Sequence, residues 1–317
     1  MENKSGTFMM PTSYFGISLG LFSLGLAYRY AAKAAGVPFL FSEVLLILAA
    51  SIWIVFIGIY IYRLFYRGDT AYAELKNPIQ GCFISLIPIT TILLGVAVIP
   101  LSRIFAEILI FGGTIGQLIF SSYHTGGMWR GIHSITATTP VIYLPTIAAG
   151  FASAIGAGAL GYDKLGMLFF GAGMFSWISF EAVTLQRLRT EELASKIRPV
   201  IGIQLAPAFV ACAAYLSING GKVDVFAQML IGYGLLNFFF LVRLFYWVIE
   251  DGFTTGFWAF SFGLGSMANT GMHMFVQYKG DIVSTIGLIM FIVASILIAL
   301  LLLITLKLIF KGKFFVK

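Results

Sequence analysis

Long apolar stretches, separated by short polar or charged connections, dominate the pattern of the chain. A membrane-spanning helix needs roughly 20 apolar residues, and on that basis the sequence predicts ten spans. They cover about 13–34, 41–66, 79–99, 101–122, 140–160, 164–188, 200–218, 224–248, 257–276 and 282–309. The regular apolar–polar alternation of outer-membrane strands is not seen, so we predict helices, which satisfy their own backbone hydrogen bonds in lipid. The prediction is one all-α membrane domain over 1–317.

The predicted spans alternate between small and large side chains. Span 5 (140–160) is rich in alanine and glycine, whereas span 10 (282–309) consists mostly of large aliphatic residues. Small residues let helices approach closely, and large apolar residues suit contact with lipid. The odd-numbered spans are therefore predicted to be interior and the even-numbered spans peripheral.

A proline recurs near the middle of three odd-numbered spans. Pro88, Pro145 and Pro207 are separated by 57 and 62 residues, and a further 55 residues lead to Phe262. Span 1 has a glycine instead, Gly16 in FGISLG. A proline inside a helix removes a hydrogen bond and bends it, which membranes tolerate where a neighbouring helix or a cavity covers the freed carbonyl. A single proline of this kind is explained by the shape of one helix alone. Its recurrence at similar spacing in three odd-numbered spans instead predicts five tandem helical hairpins in a ring around a central axis.

The stretch 256–271 differs from the other apolar runs because it combines glycine and serine with bulky aromatic residues. Read as a helix, Phe262, Ser266, Asn269 and His273 are spaced by four, three and four residues, so they share one face. A large ring followed by small and polar groups is typical of a lining, with Phe262 as its plug. The alternative is a buried helix whose phenylalanine packs in a core.

Composition and charge agree with a membrane protein. The chain is 59% hydrophobic and 10% charged, whereas soluble domains carry about 25% charged residues. Of the 20 basic residues, 14 fall on the predicted side of the termini and 6 on the other. Basic residues stay on the cytoplasmic side, so both termini are predicted to be cytoplasmic. The net charge of +7 is therefore a topology signal and does not indicate nucleic-acid binding. We also expect the first span to remain as a helix, because its start lacks the pattern of a cleaved signal peptide.

Few residues in the spans could carry chemistry. Glu107 and Glu181 are carboxylates inside apolar runs, where a charge is usually paired, protonated or functional. For Glu181 we favour an interfacial or inter-helix pairing role over a proton relay. Cys82 and Cys212 lie in apolar runs without the spacing of a metal or redox motif. Since no catalytic or nucleotide-binding motif occurs either, we predict no enzyme activity, no cofactor and no metal site.

The middles of the five odd-numbered spans contain no charged residue. A cation path or a coupled transporter usually shows an ionisable group at mid-depth. Hydroxyl groups, backbone at bends and apolar walls instead suit a partly dehydrated small inorganic anion, so we predict a gated passive anion channel. The alternative is a secondary transporter that exports an oxyanion such as tellurite, or a dicarboxylate, with coupling through Glu181 or His273. The candidate lining or bend residues are Gly16, Pro88, Pro145, Pro207, Gly263 and Ser266, with Phe262 as the gate.

Several segments resemble one membrane protein family, and together they extend over nearly the whole chain. They are YFGISLG (14–20), SLIPIT (85–90), ATTPVIYLPT (137–146), FFGAGMFSW (169–177), LQRLR (185–189), GIQLAPAFVAC (202–212) and FWAFSFG (257–263). The segments resemble the bacterial tellurite-resistance family TehA, which includes the plant slow anion channels of guard cells. This family is related more distantly to dicarboxylate transporters.

The resemblance implies a fold, an assembly and a gate. It implies ten helices as five tandem hairpins in quasi-fivefold order, with the odd-numbered helices around a central pore. It also implies a homotrimer in the bacterial inner membrane, with one pore in each subunit, and an association with tellurite resistance. The aromatic residue that occludes the pore in this family falls on Phe262. Because the long tails of the plant channels are missing here, we expect no kinase control through tails.

Overall fold

The computed structural model describes residues 10–131 and 133–314, and all regular secondary structure in these ranges is helical. Eleven α-helices are described. They are α1 Phe15–Ala35, α2 Phe39–Tyr66, α3 Gly68–Lys76, α4 Leu86–Val98, α5 Arg103–Met128, α6 Ala149–Ala159, α7 Asp163–Thr190, α8 Ala206–Ile218, α9 Val225–Val248, α10 Ser261–Gln277 and α11 Ile282–Phe310. The short helix α3 was not predicted, and it follows the second predicted span.

Each odd-numbered predicted span begins with a 3-10 helical segment that precedes its α-helix. These segments are Thr12–Tyr14, Gln80–Ser85, Pro140–Tyr143, Ser195–Leu205 and Thr255–Phe260. A π-helical turn, Leu144–Ala148, joins the third of them to α6. The even-numbered spans α2, α5, α7, α9 and α11 are instead continuous α-helices of 24 to 29 residues.

Eight of these helical segments are long and apolar enough to cross a membrane within the described residues. The other two predicted spans correspond to α1 and to residues 255–277, so ten crossings stay a prediction. In the eight segments, 67–83% of the apolar window is buried in the odd-numbered spans, against 17–33% in the even-numbered spans. The predicted division into interior and peripheral helices is therefore confirmed for these segments.

The inner helices contact one another in a closed order. Contacts join α1 to α4, α4 to α6, α6 to α8, α8 to α10 and α10 back to α1. Each inner helix also packs against the outer helix that follows it in the chain. The quasi-fivefold symmetry of this arrangement stays a prediction.

The prolines of the odd-numbered spans lie where the helix type changes. Pro88 and Pro207 are the third and second residues of α4 and α8, and Pro145 is the second residue of the π-helical turn. A proline costs little in a first turn, because the N–H groups there have no acceptor within the helix. The interruption is therefore a change from 3-10 to α or π geometry rather than a bend within one α-helix.

The beginning and the end of the described chain meet at one end of the bundle. The Tyr14 hydroxyl donates a hydrogen bond of 2.7 Å to the carbonyl of Phe314. Next to it, the Thr12 backbone N–H and hydroxyl donate to the carboxylate of Glu74 on α3, which also pairs with Arg63. Both ends on one side agree with an even number of crossings, and the side of the membrane that they face stays a prediction.

Candidate functional site

Two cavities lie between the five inner helices. The narrow cavity has a volume of about 50 Å³, and its wall includes Gly16, Phe83, Tyr143, Pro207 and Trp258, one from each odd-numbered span. The wide cavity has a volume of about 410 Å³, and its wall includes Ser23, Leu93, Ile155, Leu216 and Ser266, again one from each. Both cavities are therefore enclosed by the same five helical segments.

Phe262 lies between the two cavities. Among the described residues, only this one lines both the narrow and the wide cavity. Phe262 is the second residue of α10, where the 3-10 segment ends. The neighbouring Ser261 hydroxyl donates to the carbonyl of Gly16 at 2.9 Å and to that of Trp258 at 2.7 Å. The bond to Gly16 ties the junction that carries Phe262 to α1.

The narrow cavity has an almost entirely apolar wall. No charged side chain occurs among its described lining residues, and Tyr143, Ser13 and Thr255 are its hydroxyl-bearing members. Apolar constrictions in channels exclude ions by dewetting as well as by steric contact. The arrangement can therefore block a conduit without any charge.

The wide cavity has a different chemistry, because its mostly apolar wall also carries basic and polar side chains. Arg29 and Lys33 line it together with Ser266, Asn269 and His273. No carboxylate occurs among the described residues of this lining. The charged side chains of this lining are therefore basic.

His273 is held rigidly in the wall of the wide cavity. Its ring stacks on Tyr30 with 3.7 Å between the ring centroids and 11° between the planes. Its Nδ1 atom lies 3.2 Å from the carbonyl oxygen of Gly221. The stack joins α1 to α10, and the contact with Gly221 reaches the connection that follows α8.

Glu181 lies outside both linings, at the junction of α7, α9 and span 5. Its carboxylate accepts hydrogen bonds from the Tyr143 hydroxyl at 2.6 Å, the Trp177 indole N–H at 3.0 Å and the Tyr233 hydroxyl at 2.8 Å. Three neutral donors thus compensate this carboxylate, which accounts for its position inside an apolar helix.

The structure brings together only part of the predicted set. Gly16 and Pro207 line the narrow cavity, Ser266 and His273 line the wide cavity, and Phe262 lines both. These residues come from three different odd-numbered spans.

The other predicted residues face neighbouring helices. The Pro145 carbonyl accepts a hydrogen bond of 3.1 Å from the Gln117 side chain of α5. The Pro88 carbonyl lies close to Gly113 of the same helix, so that a Cβ atom on the glycine would be 2.9 Å from it. A Cβ atom on Gly263 would lie 2.9 Å from the Cβ of Leu205, which places this glycine at a contact between inner helices.

Two features of the structure were not predicted from the sequence. Arg29 and Lys33 lie toward the end of span 1 and were counted only for topology, although their spacing of four residues puts them on one helix face. The second feature is a contact of 3.6 Å between the Sγ atom of Cys82 and the Nε2 atom of His124, which lies 42 residues further along the chain. No spacing motif signals that contact, and the described residues contain no group of three or more ligands able to hold a metal.

Comparison with known proteins places these features in a family context. The family model "SLAC1: Voltage-dependent anion channel" matches residues 9–306. The Tellurite resistance protein TehA homolog of Haemophilus influenzae is 46% identical over 316 residues, which cover 99% of this chain and 95% of that relative. The matched region contains all ten predicted spans except the last residues of the tenth.

Proposed function

Because this chain belongs to the family of voltage-dependent anion channels, we propose that it is a gated passive anion channel. The conduit that we propose runs along the axis of the five inner helices, through the narrow cavity and the wide cavity. The observation that supports the proposal is the position of Phe262, which lines both of the cavities between the five inner helical segments. Gly16, Pro207 and Ser266 are then pore-lining residues.

The charges along this axis favour anions over cations. The wide cavity offers Arg29 and Lys33 but no carboxylate among its described lining residues, and the narrow cavity offers no charged side chain. A cation would meet basic side chains and no carboxylate in the lining itself, whereas an anion would be attracted into the wide cavity. Serine and asparagine groups there can replace part of the anion's hydration shell without binding it tightly.

The proposed gate is the Phe262 ring. In the closed state the ring fills the axis at the boundary of the narrow cavity, where the wall is apolar and water is excluded. Opening requires the ring to swing aside, which costs of order 0.5–1.5 kcal/mol if the side chain leaves its rotamer well. No charge has to move, so gating and charge selection occupy different parts of the conduit.

The experiment that tests the function is a measurement of the reversal potential across a planar bilayer. The purified full-length protein and its Phe262→Ala variant are recorded in a gradient of potassium chloride. We expect a reversal potential close to the chloride equilibrium potential. A reversal potential close to that of potassium, or no current from either protein, contradicts the proposal.

A proton-coupled transporter of oxyanions or dicarboxylates is the second candidate. Two observations favour it, because His273 lines the wide cavity and Glu181 is bonded to Tyr143 in the wall of the narrow cavity. Flux into proteoliposomes distinguishes the two. Saturable uptake that depends on a pH gradient and is abolished by Glu181→Gln supports the transporter, whereas linear current that does not depend on the pH gradient supports the channel.

The cellular setting that we propose is the bacterial inner membrane, with both termini in the cytoplasm and three subunits in each assembly. The basic residues of the predicted connections support the orientation, and the resemblance described above is the basis for the trimer. Accessibility of single cysteines placed in the connections tests the orientation, and native mass spectrometry tests the trimer. The relative from H. influenzae suggests a link to tellurite, which growth of an expressing strain on tellurite medium tests.

A further inference from the structure

We propose that Lys33 is the charge that attracts anions into the wide cavity, while the carboxylate of Glu43 neutralises the charge of Arg29. This inference rests on the proposed channel function and assigns anion capture to one residue at one mouth of the conduit. It concerns the rate of anion entry and leaves the gate at Phe262 unchanged.

Arg29 and Lys33 lie one helical turn apart near the end of α1, and both line the wide cavity. The same cavity is lined by Gly220 and Gly221, which belong to the connection after α8. The last turns of α1 and the connection after α8 therefore border this end of the cavity, so it is the mouth that faces away from the chain ends at Tyr14 and Phe314.

Arg29 is compensated almost completely. Its Nε and Nη2 atoms donate to the Glu43 carboxylate at 2.9 to 3.0 Å, and its Nη1 atom donates to the carbonyl of Ala97 at 2.6 Å. This forked pair fixes the guanidinium and cancels most of its field in the cavity. Arg29 therefore contributes more to the shape of the mouth than to its potential.

Lys33 has no such compensation. It is exposed, and among the contacts of the described residues it makes no ion pair and no hydrogen bond. The other polar groups of this lining, which include Ser266, Asn269 and His273, supply no negative charge. Lys33 is thus the cation in this lining whose field acts on an entering ion.

A fixed charge at a pore mouth raises the local concentration of the oppositely charged ion and its rate of entry. At about 8 Å in water, one unit charge changes that concentration roughly twofold. The effect falls with salt, because the Debye length is about 10 Å at 0.1 M and about 3 Å at 1 M. Since Lys33 lies at one mouth only, anions that enter from that mouth should be affected more than anions that enter from the other.

The test uses single-channel chloride currents of the full-length protein in the Phe262→Ala background, at 0.1 M and at 1 M salt. We expect Lys33→Gln to lower current carried by chloride entering the wide cavity about twofold at 0.1 M, with little change at 1 M. Lys33→Arg should keep the current. Glu43→Gln, which frees the charge of Arg29, should raise it.

The matched control is Lys279→Gln, because Lys279 is exposed in the connection between α10 and α11 and lines neither cavity. Equal currents in the Lys33→Gln and Lys279→Gln variants overturn the inference. A loss of current in Lys33→Gln that is the same at 0.1 M and 1 M salt, or the same for chloride entering from either mouth, also overturns the inference. An equal loss of current in Lys33→Arg overturns it as well. If the background protein carries no anion current, it is the proposed function that fails.

Discussion

The Tyr143 hydroxyl donates a hydrogen bond of 2.6 Å to the Glu181 carboxylate and so joins the wall of the narrow cavity to the outer helix α7. The indole of Trp177 and the hydroxyl of Tyr233 donate to the same carboxylate. Glu181 therefore connects span 5 with α7 and α9 at one point. Its acceptor capacity, rather than a partner cation, holds the three elements together.

Glu181→Ala should destabilise the protein, because it leaves the buried Tyr143 hydroxyl and two further donors without their acceptor. We expect a loss of about 1–3 kcal/mol, and a smaller loss for Glu181→Gln, which keeps one carbonyl oxygen. The fraction of monodisperse protein that survives heating in detergent, measured by size-exclusion chromatography, gives the comparison. Equal stability of the Glu181→Ala variant and the unchanged protein would show that these bonds have no structural role.

The buried pair of Arg63 and Glu74 gives a second prediction, because their side chains are only 8% and 10% exposed. Glu74→Ala leaves a buried guanidinium unpaired and should cost about 3–5 kcal/mol. The matched control is Glu107→Ala, whose partner Arg103 is 60% exposed, and it should cost less than about 1 kcal/mol. Thermal unfolding of both variants in detergent measures the difference, and similar losses would contradict the prediction.

The alternation of buried and exposed spans could be predicted from the sequence because it depends on side-chain size summed over 20 residues. Span 5 carries alanine and glycine, which allow close packing between helices, whereas span 10 carries large aliphatic residues, which suit contact with lipid. The helix α3 was missed because its nine residues are too short and too polar to stand out between spans. The 3-10 segments were missed because apolar runs look the same in both helix types.

The candidate site could be predicted only in part, because a proline marks a change of backbone geometry and not the direction of a side chain. Pro145 and Pro88 both face α5, and only Pro207 of the three lines a cavity. The face from Phe262 to His273 was found because α10 is regular there. Lys33 was not predicted because the other walls of its cavity come from spans that only the fold brings beside α1.

A close contact between α10 and its outer partner α11 gives a third prediction. A Cβ atom on Gly287 would lie 2.4 Å from the carbonyl oxygen of Gly271, so Gly287→Ala must push α11 away from α10. We expect a loss of about 1–3 kcal/mol in thermal stability. The matched control is Gly58→Ala in α2, where no atom lies within 4 Å of the added Cβ, and it should be neutral or slightly stabilising. Equal melting behaviour of the two variants would contradict the close packing.

The strongest prediction concerns the Phe262 ring, because only this described residue lines both cavities. Phe262→Ala removes the ring and merges the narrow and wide cavities into one path that water can fill. The closed state of the unchanged protein then loses its barrier, and we expect mean chloride conductance to rise by roughly two- to tenfold or more. Phe262→Leu keeps an apolar group of intermediate size and should give an intermediate conductance in the same bilayer recordings.

A matched control separates loss of the gate from general loosening of the core. Phe209 is fully buried and contacts Gly234 of α9, but it lines neither cavity. Phe209→Leu should lower thermal stability, as a smaller side chain in a packed core does, and leave conductance unchanged. If Phe209→Leu conducts as well as Phe262→Leu, the current comes from a loosened core. If Phe262→Ala is as silent as the unchanged protein, the ring is not the gate.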